Sequence, residues 1–140
     1  MPGKKKSLLI LALLLAATAI AVTGFAYRSR HHGFAQVDTT RFMQMMKHKD
    51  FTLIDVHTPY QGEIPGTDEV LPYDRIADFA NRLPRDKSAP IVVYCMGSSM
   101  GRVAAQTLVR MGYTHVTQYD DGMYGWHEAG GTLVYRPNGQ

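Results

Sequence analysis

The stretch Ile91-Val92-Val93-Tyr94-Cys95-Met96-Gly97-Ser98-Ser99-Met100-Gly101-Arg102 decides the fold of this protein. Its first four residues are β-branched or aromatic, a continuous run that is typical of a central parallel strand buried on both faces. Small residues follow Cys95 and open into apolar residues at helical spacing, which end before Gly112 in the C-cap position. The stretch therefore predicts a strand that ends at Cys95, a loop over residues 96–101 and a helix over residues 102–111.

Strand and helix patterns alternate on both sides of this unit. Further strands are predicted over residues 51–56, 70–71 and 115–119. Further helices are predicted after Asp38 as N-cap, over residues 73–83 and over residues 123–129. The alternation predicts an α/β fold with a mostly parallel central sheet of about five strands and helices on both faces.

An apolar segment precedes the predicted domain. Residues 8–27 carry no charged side chain and follow three lysines, and a helix of this length spans ~30 Å, the hydrocarbon thickness of a bilayer. The lysines favour a cytoplasmic N-terminus with the rest of the chain outside. We therefore expect a signal peptide or a transmembrane anchor over residues 1–27, a linker over 28–36 and a folded domain over 37–136. The domain would lie on the outer side of the cytoplasmic membrane, or be secreted if the segment is cleaved.

Charge and cysteine usage limit the function. The chain has 15 basic and 12 acidic residues, but five of the basic ones lie in the first 32 positions, which leaves 10 basic against 12 acidic residues in the remainder. A basic nucleic-acid-binding surface is therefore not expected. The lone cysteine, Cys95, cannot form an internal disulfide, and no pair of histidines has the spacing of zinc ligands. We predict neither a metal nor a cofactor.

Cys95 stands where an open α/β sheet binds its ligands, at the carboxyl end of a strand. Backbone N–H groups in a Gly- and Ser-rich loop can converge on an anion, and the start of the following helix adds partial positive charge. A thiolate or a persulfide held there would be stabilised. We therefore predict Cys95 as the catalytic nucleophile and residues Met96, Gly97, Ser98, Ser99, Met100 and Gly101 as the anion-binding loop. The alternative is a buried, inert cysteine.

Two families place a cysteine in such a loop. Cysteine phosphatases need C-x5-R, but the sixth residue after Cys95 is Gly101, and Arg102 comes one place late. The chain resembles the rhodanese family of sulfurtransferases instead, over residues 38–130. The resemblance is carried, in order, by Leu53-Ile54-Asp55-Val56, Gly62-Glu63-Ile64-Pro65-Gly66-Thr67, the strand before Cys95, Ala104-Ala105-Gln106-Thr107-Leu108 with Gly112-Tyr113, and Asp121-Gly122-Met123 with Trp126 and Ala129-Gly130.

The resemblance implies a rhodanese-like fold in which Cys95 takes sulfur from a sulfane donor and passes it to cyanide, a thiol or a partner protein. The family loop commonly reads C-R-x-G-x-R-S, whereas Met96 and Met100 occupy the arginine places here. Those arginines bind anionic thiosulfate, so we expect poor thiosulfate affinity and a less charged donor such as a polysulfide. Glu63 likewise replaces the usual histidine of the turn.

Three further residues are possible modulators of the site. His57 stands where the family has an arginine at the strand end, and Asp55 precedes it by two residues. Arg102 begins the predicted helix, from which it is expected to point away from the loop. Two other functions remain open: an interaction module in which Cys95 is idle, and a thiol redox sensor that needs a partner thiol.

Overall fold

A computed structural model describes residues 33–137. Its five strands are β1 (Ala35–Val37), β2 (Thr52–Asp55), β3 (Glu69–Val70), β4 (Ile91–Tyr94) and β5 (Val116–Tyr119). They form one sheet in the order β1-β5-β4-β2-β3, and every pairing is parallel. The predicted α/β fold with a parallel central sheet is confirmed, and β4, which leads into Cys95, is the middle strand.

Three helical segments connect strands and a fourth follows β5. They are α1 (Thr39–Met46), a 3-10 helix (Ile76–Arg82), α2 (Ser99–Arg110) and α3 (Gly122–Glu128). The predicted N-cap of α1 is confirmed, because the carboxylate of Asp38 accepts a hydrogen bond from the Arg41 amide at 2.8 Å. The C-cap of α2 is Met111 rather than the predicted Gly112, which follows it with the positive φ of 93° that is common just after a helix cap.

The two faces of the sheet are covered by separate apolar cores. Val93 and Cys95 face the core that contains Leu108 of α2, while Val92 and Tyr94 face the core that contains Phe42 of α1. This alternation along β4 follows from the two-residue repeat of a strand. Cys95 is therefore placed on the α2 side, next to the helix that begins after its loop.

Three local predictions differ from the structure. Strand β1 begins at Ala35, inside the segment predicted as a linker, because its backbone pairs with β5 from Ala35 to Val37. Helix α2 starts at Ser99 rather than Arg102 and so takes in half of the predicted loop. Residues 73–83 form a shorter 3-10 helix, in which Phe79 departs from helical geometry with φ −105° and ψ 29°.

The apolar segment predicted as a signal peptide or anchor, residues 1–27, lies outside the described residues. Between residues 33 and 137, no helix has both the length and the apolar character needed to cross a membrane.

Candidate active site

Cys95 lies directly after β4, where the central strand of the sheet ends. Only 2% of its surface is exposed, and it packs within the core between the sheet and α2. One of the two neighbouring strands is β2, and the amide of Val56, the residue after β2, donates to the Tyr94 carbonyl at 2.8 Å. The sulfur thus lies at the carboxyl end of the central strand, as predicted from the sequence, and beside the end of β2.

The Cys95 sulfur accepts one hydrogen bond and donates another, both with backbone groups that follow it in the chain. The backbone amide of Gly101, in the first turn of α2, donates to Sγ at 3.3 Å. The Sγ–H group donates to the Gly97 carbonyl at 3.1 Å, which is the arrangement of a resting thiol. The Ser98 side chain at the N-cap position of α2 makes no capping bond. Cys95 therefore supplies the acceptor that an N-cap side chain usually provides.

The other carbonyls near Cys95 are held by groups outside the loop. The amides of Met123 and Tyr124, at the start of α3, donate to the carbonyls of Cys95 at 2.9 Å and of Met96 at 3.0 Å. The side-chain amide of Gln118 donates to the Ser98 carbonyl at 2.7 Å. These bonds fix the direction of three carbonyl groups in and beside the loop.

The first turn of α2 also presents unused donors. The amides of Ser99 and Met100 donate to no acceptor within residues 33–137, as expected for the first amides of a helix. Together with the Gly101 amide they form the positive end of a 12-residue helix. This arrangement can bind an anion next to Sγ, and a persulfide is such an anion.

Comparison with known proteins assigns the family. The sequence model of the rhodanese-like domain matches residues 38–129, about two thirds of the chain. The chain belongs to the rhodanese-like domain family. No curated protein matches the chain.

Solved structures agree with this assignment. The Alr3790 protein from Anabaena sp. is 25% identical, with a TM-score of 0.63 and coverage of 74% of this chain and 83% of that one. A rhodanese-like domain protein from Staphylococcus aureus is 21% identical, with a TM-score of 0.61 and coverage of 72% and 99%. The polysulfide-sulfur transferase homodimer from Wolinella succinogenes is 21% identical, with a TM-score of 0.59 and coverage of 84% and 91%. At such identities the last two likenesses concern the fold alone.

This rhodanese-like domain carries apolar side chains at the two loop positions where the family commonly has arginines. Met100 is half-buried against the core that contains Cys95, and Met96 is half-buried against the opposite core. Arg102 lies 3.9 Å from the carboxylate of Asp120, so its charge is directed toward β5 rather than the sulfur. The orientation expected for Arg102 agrees with this contact.

Asp55 and His57 share a turn at the end of β2. Asp55 is fully buried, and one carboxylate oxygen accepts from the His57 amide at 2.9 Å while the other has no hydrogen-bond partner in the described part of the chain. Burial raises the pKa of Asp55 to about 7. Burial also lowers the pKa of His57, whose buried Nδ1 has no partner among residues 33–137. His57 is therefore neutral near pH 7.

A pocket opens beside His57 at the carboxyl ends of β2 and β3. Its volume is about 260 Å³. It is lined by His57, Thr58, Tyr60, Val70, Pro72, Phe79 and Arg82. Arg82 forms an ion pair with Glu69 and lies over the Phe79 ring. Its charge is therefore already compensated within the protein. Cys95 is not among the lining residues.

Two residues that position the Cys95 loop were missed in the sequence. Gln118 was read only as part of a strand, although a polar residue among apolar ones is a signal of a buried hydrogen-bonding role. Gly122 was noted only within the motif Asp121-Gly122-Met123, without a role at the Cys95 loop. In the structure it has a positive φ of 59° and lies against the backbone of Cys95 and Gly97.

Proposed function

We propose that this protein is a sulfurtransferase or sulfur carrier that works through a persulfide on Cys95. The Cys95 thiolate attacks the sulfane sulfur of a donor, a new S–S bond forms, and the donor departs with the electrons of the broken bond. An acceptor thiolate then attacks the outer sulfur, and Cys95 leaves as the thiolate. Each step exchanges one nucleophile for another at sulfur, so no external oxidant or reductant is needed.

One observation carries this proposal: the Gly101 amide donates to Sγ at 3.3 Å, beside two first-turn amides that have no acceptor in the described residues. Backbone donors fixed by a helix cost little reorganisation when negative charge appears on sulfur. They suit a thiolate, and they suit a persulfide whose outer sulfur carries the charge. Loss of the thiol proton also ends the bond that Sγ–H makes to the Gly97 carbonyl.

The preferred donor is less charged per sulfur than thiosulfate, such as a polysulfide or the persulfide of another protein. Met96 and Met100 supply apolar surface at the loop, and the Arg102 charge is directed to Asp120. A thiosulfate sulfonate would therefore find backbone amides but no guanidinium group at these positions. The fold likeness to a polysulfide-sulfur transferase is in keeping with this donor class.

Intact mass spectrometry tests the proposal directly. The full chain is incubated with polysulfide or with thiosulfate, desalted and weighed, with Cys95→Ser as the control. We expect a gain of one sulfur atom that is absent in Cys95→Ser and removed by an added thiol acceptor. Polysulfide should load the protein faster than thiosulfate. No sulfur gain with any donor would refute the transfer chemistry, and faster loading by thiosulfate would refute the donor preference.

The burial of Cys95 favours one rival function, an interaction module in which the thiol is idle. A sulfur that is 2% exposed must be reached by movement of the loop. Iodoacetamide distinguishes the two functions. A sulfurtransferase requires alkylation at neutral pH at a rate at least equal to that of a free thiol, whereas an idle thiol should react far more slowly.

We also place the protein outside the cytoplasmic membrane, attached by residues 1–27 or released after their cleavage. The support is the uncharged segment 8–27 preceded by three lysines. Fractionation of cells that express the full chain, with protease added to spheroplasts, tests this. Protection of the domain from the protease would contradict it, and the mass of the mature chain decides between anchor and cleaved signal.

A further inference from the structure

Gln118 is a fully buried amide in β5, at the side of the sheet that carries the Cys95 loop. Both its amide nitrogen and its amide oxygen are hydrogen-bonded to protein groups. Its Nε2 donates to the Ser98 carbonyl at 2.7 Å and to the Asp120 carboxylate at 2.9 Å, and its Oε1 accepts from Gln36 at 3.3 Å. A buried amide is costly unless paired, so these partners fix the orientation of the side chain.

The Ser98 carbonyl is the point at which Gln118 reaches the active loop. The same oxygen also accepts the first backbone bond of α2, from the Arg102 amide at 3.1 Å. In a trans peptide the C=O and N–H groups point in opposite directions. With the Ser98 carbonyl held toward Gln118, the N–H of Ser99 must point away from it.

Gln118 also lies against the other end of this first turn. A β-carbon on Gly101 would stand 3.5 Å from both Cγ and Nε2 of Gln118, which is ordinary contact. Gly101 is the residue whose amide donates to the Cys95 sulfur. One side chain therefore bonds to the start of the turn, at Ser98, and fills the space that a side chain at Gly101, the amide donor to sulfur, would meet.

We propose that Gln118 is a positioning residue for sulfur transfer: it holds the first turn of α2 so that the amides of Ser99, Met100 and Gly101 face the sulfur of Cys95. This inference rests on the proposed function, because the charged sulfur that these amides stabilise is the thiolate or persulfide of that reaction. Gln118 touches no substrate and acts through the backbone of the loop.

Replacement of Gln118 by methionine removes the donor while keeping the length of the side chain. The matched control is the same change at Gln106, which is exposed on α2. With folding checked by circular dichroism, we expect Gln118→Met to lower the rate of persulfide formation roughly 10- to 100-fold, the effect of a small misplacement of reacting groups. Gln106→Met should match the wild type. Equal rates in all three proteins would overturn the positioning role.

A pH profile separates positioning from a general loss of packing. In Gln118→Glu the new carboxyl faces the Ser98 carbonyl and Asp120, with Arg102 beyond Asp120. When protonated it can donate to Ser98, and when ionised it cannot. Relative to wild type at each pH, Gln118→Glu should therefore recover activity as the pH falls. A ratio that stays constant with pH would overturn the inference, and this variant decides the question if Gln118→Met does not fold.

Alkylation of Cys95 distinguishes failure of this inference from failure of the proposed function. If the wild type gains no sulfur, the proposed function fails, but Gln118 can still be tested by iodoacetamide at fixed pH. We expect slower alkylation in Gln118→Met than in Gln106→Met, because fewer amides stabilise the thiolate. An unchanged or faster rate would overturn the positioning role whatever the outcome of the sulfur assay.

Discussion

Gly122 lies so close to the carbonyl oxygen of Cys95 that no side chain fits between them. A β-carbon on Gly122 would overlap that oxygen and stand 2.8 Å from the carbonyl oxygen of Gly97. The next amide, that of Met123, donates to the same Cys95 carbonyl at 2.9 Å. The start of α3 is thus pressed against the backbone of the active loop.

This contact predicts that Gly122→Ala destabilises the protein and displaces the loop. The positive φ of 59° costs about 1–2 kcal/mol for alanine, and the overlap with two backbone carbonyls adds about 1–3 kcal/mol. The control is Gly130→Ala, which has a positive φ of 87° but no atom within 4 Å of the added carbon. Urea unfolding should show a clearly larger loss for Gly122→Ala. If both variants lost the same free energy of unfolding, the contact between Gly122 and the loop backbone would not contribute to stability.

The buried carboxyl of Asp55 predicts a stability that depends on pH. Its pKa is raised from 3.8 to about 7 by burial, so the folded protein binds a proton that the unfolded chain has lost over this range. Stability should therefore fall as the pH rises from about 4 to about 7. Asp55→Asn keeps the acceptor for the His57 amide but cannot ionise. Relative to wild type, it should gain roughly 3–4 kcal/mol between about pH 4 and pH 8.

Urea unfolding at the two pH values measures this gain. Asp74→Asn is the matched control, because the Asp74 side chain is exposed and its replacement should leave the pH dependence as in wild type. A difference between Asp55→Asn and wild type that does not change with pH would show that Asp55 is ionised in the folded protein.

Residues 134–136 form hydrogen bonds with Glu63, in the turn that precedes β3. Glu63 and Val134 exchange two backbone hydrogen bonds of 2.9 Å, and the Arg136 guanidinium donates to the Glu63 carboxylate at 2.7 Å, with Glu63 8% and Arg136 27% exposed. Tyr60, which lines the pocket, donates to the same carboxylate. This tail therefore supports one wall of the pocket.

Loss of Arg136 should leave a buried charge without its partner. We expect Arg136→Met to lower the free energy of unfolding by about 2–4 kcal/mol, and Glu63→Gln to recover part of that loss when added to it. A double-mutant cycle by urea unfolding measures the coupling. The control cycle uses the exposed pair Arg75 and Asp78, whose coupling should be below about 1 kcal/mol. Similar coupling in both cycles would contradict the structural role of the tail.

Met96 and Met100 in the loop predict that the protein prefers a donor less charged than thiosulfate. Met100→Arg places a guanidinium at a half-buried position in the core region of Cys95, and a charge-assisted contact to sulfonate should lower the KM for thiosulfate about 10-fold. Met43→Arg adds the same charge on an exposed site of α1 and controls for net charge. Steady-state kinetics with cyanide as acceptor measures both. A KM that is unchanged in Met100→Arg would show that the loop does not select the donor by charge.

The strand before Cys95 and the cap of α1 could be read from the sequence because their causes are local. Ile91 to Tyr94 are apolar on both faces, and only a central strand buries both faces at once. Asp38 bonds to an amide three residues away, so its role needs no distant partner. Strand β1 lacked such a signal, since its three half-buried residues become a strand only by pairing with β5.

The position of Cys95 could also be predicted from neighbouring residues in the sequence. The groups that contact its loop could not. Cys95 at a strand end, before small residues and a helix, is visible in the chain. Helix α2 begins earlier than its apolar pattern because its first turn is fixed by main-chain bonds: the Gly101 amide donates to the Cys95 sulfur, and the Arg102 amide donates to the Ser98 carbonyl. Propensity gives no account of such bonds.

The amino-acid sequence by itself determined the parallel α/β fold and the position of Cys95, because the periodicity of apolar residues and the loop residues are read along the chain. Its motifs carried the resemblance to the rhodanese family. Only the tertiary structure decided that Gln118 from β5 and Gly122 from α3 lie at the Cys95 loop, and that Arg136 binds Glu63 near the pocket. These contacts join residues far apart in sequence, and their geometry is fixed by how the sheet and helices pack, which no local pattern encodes.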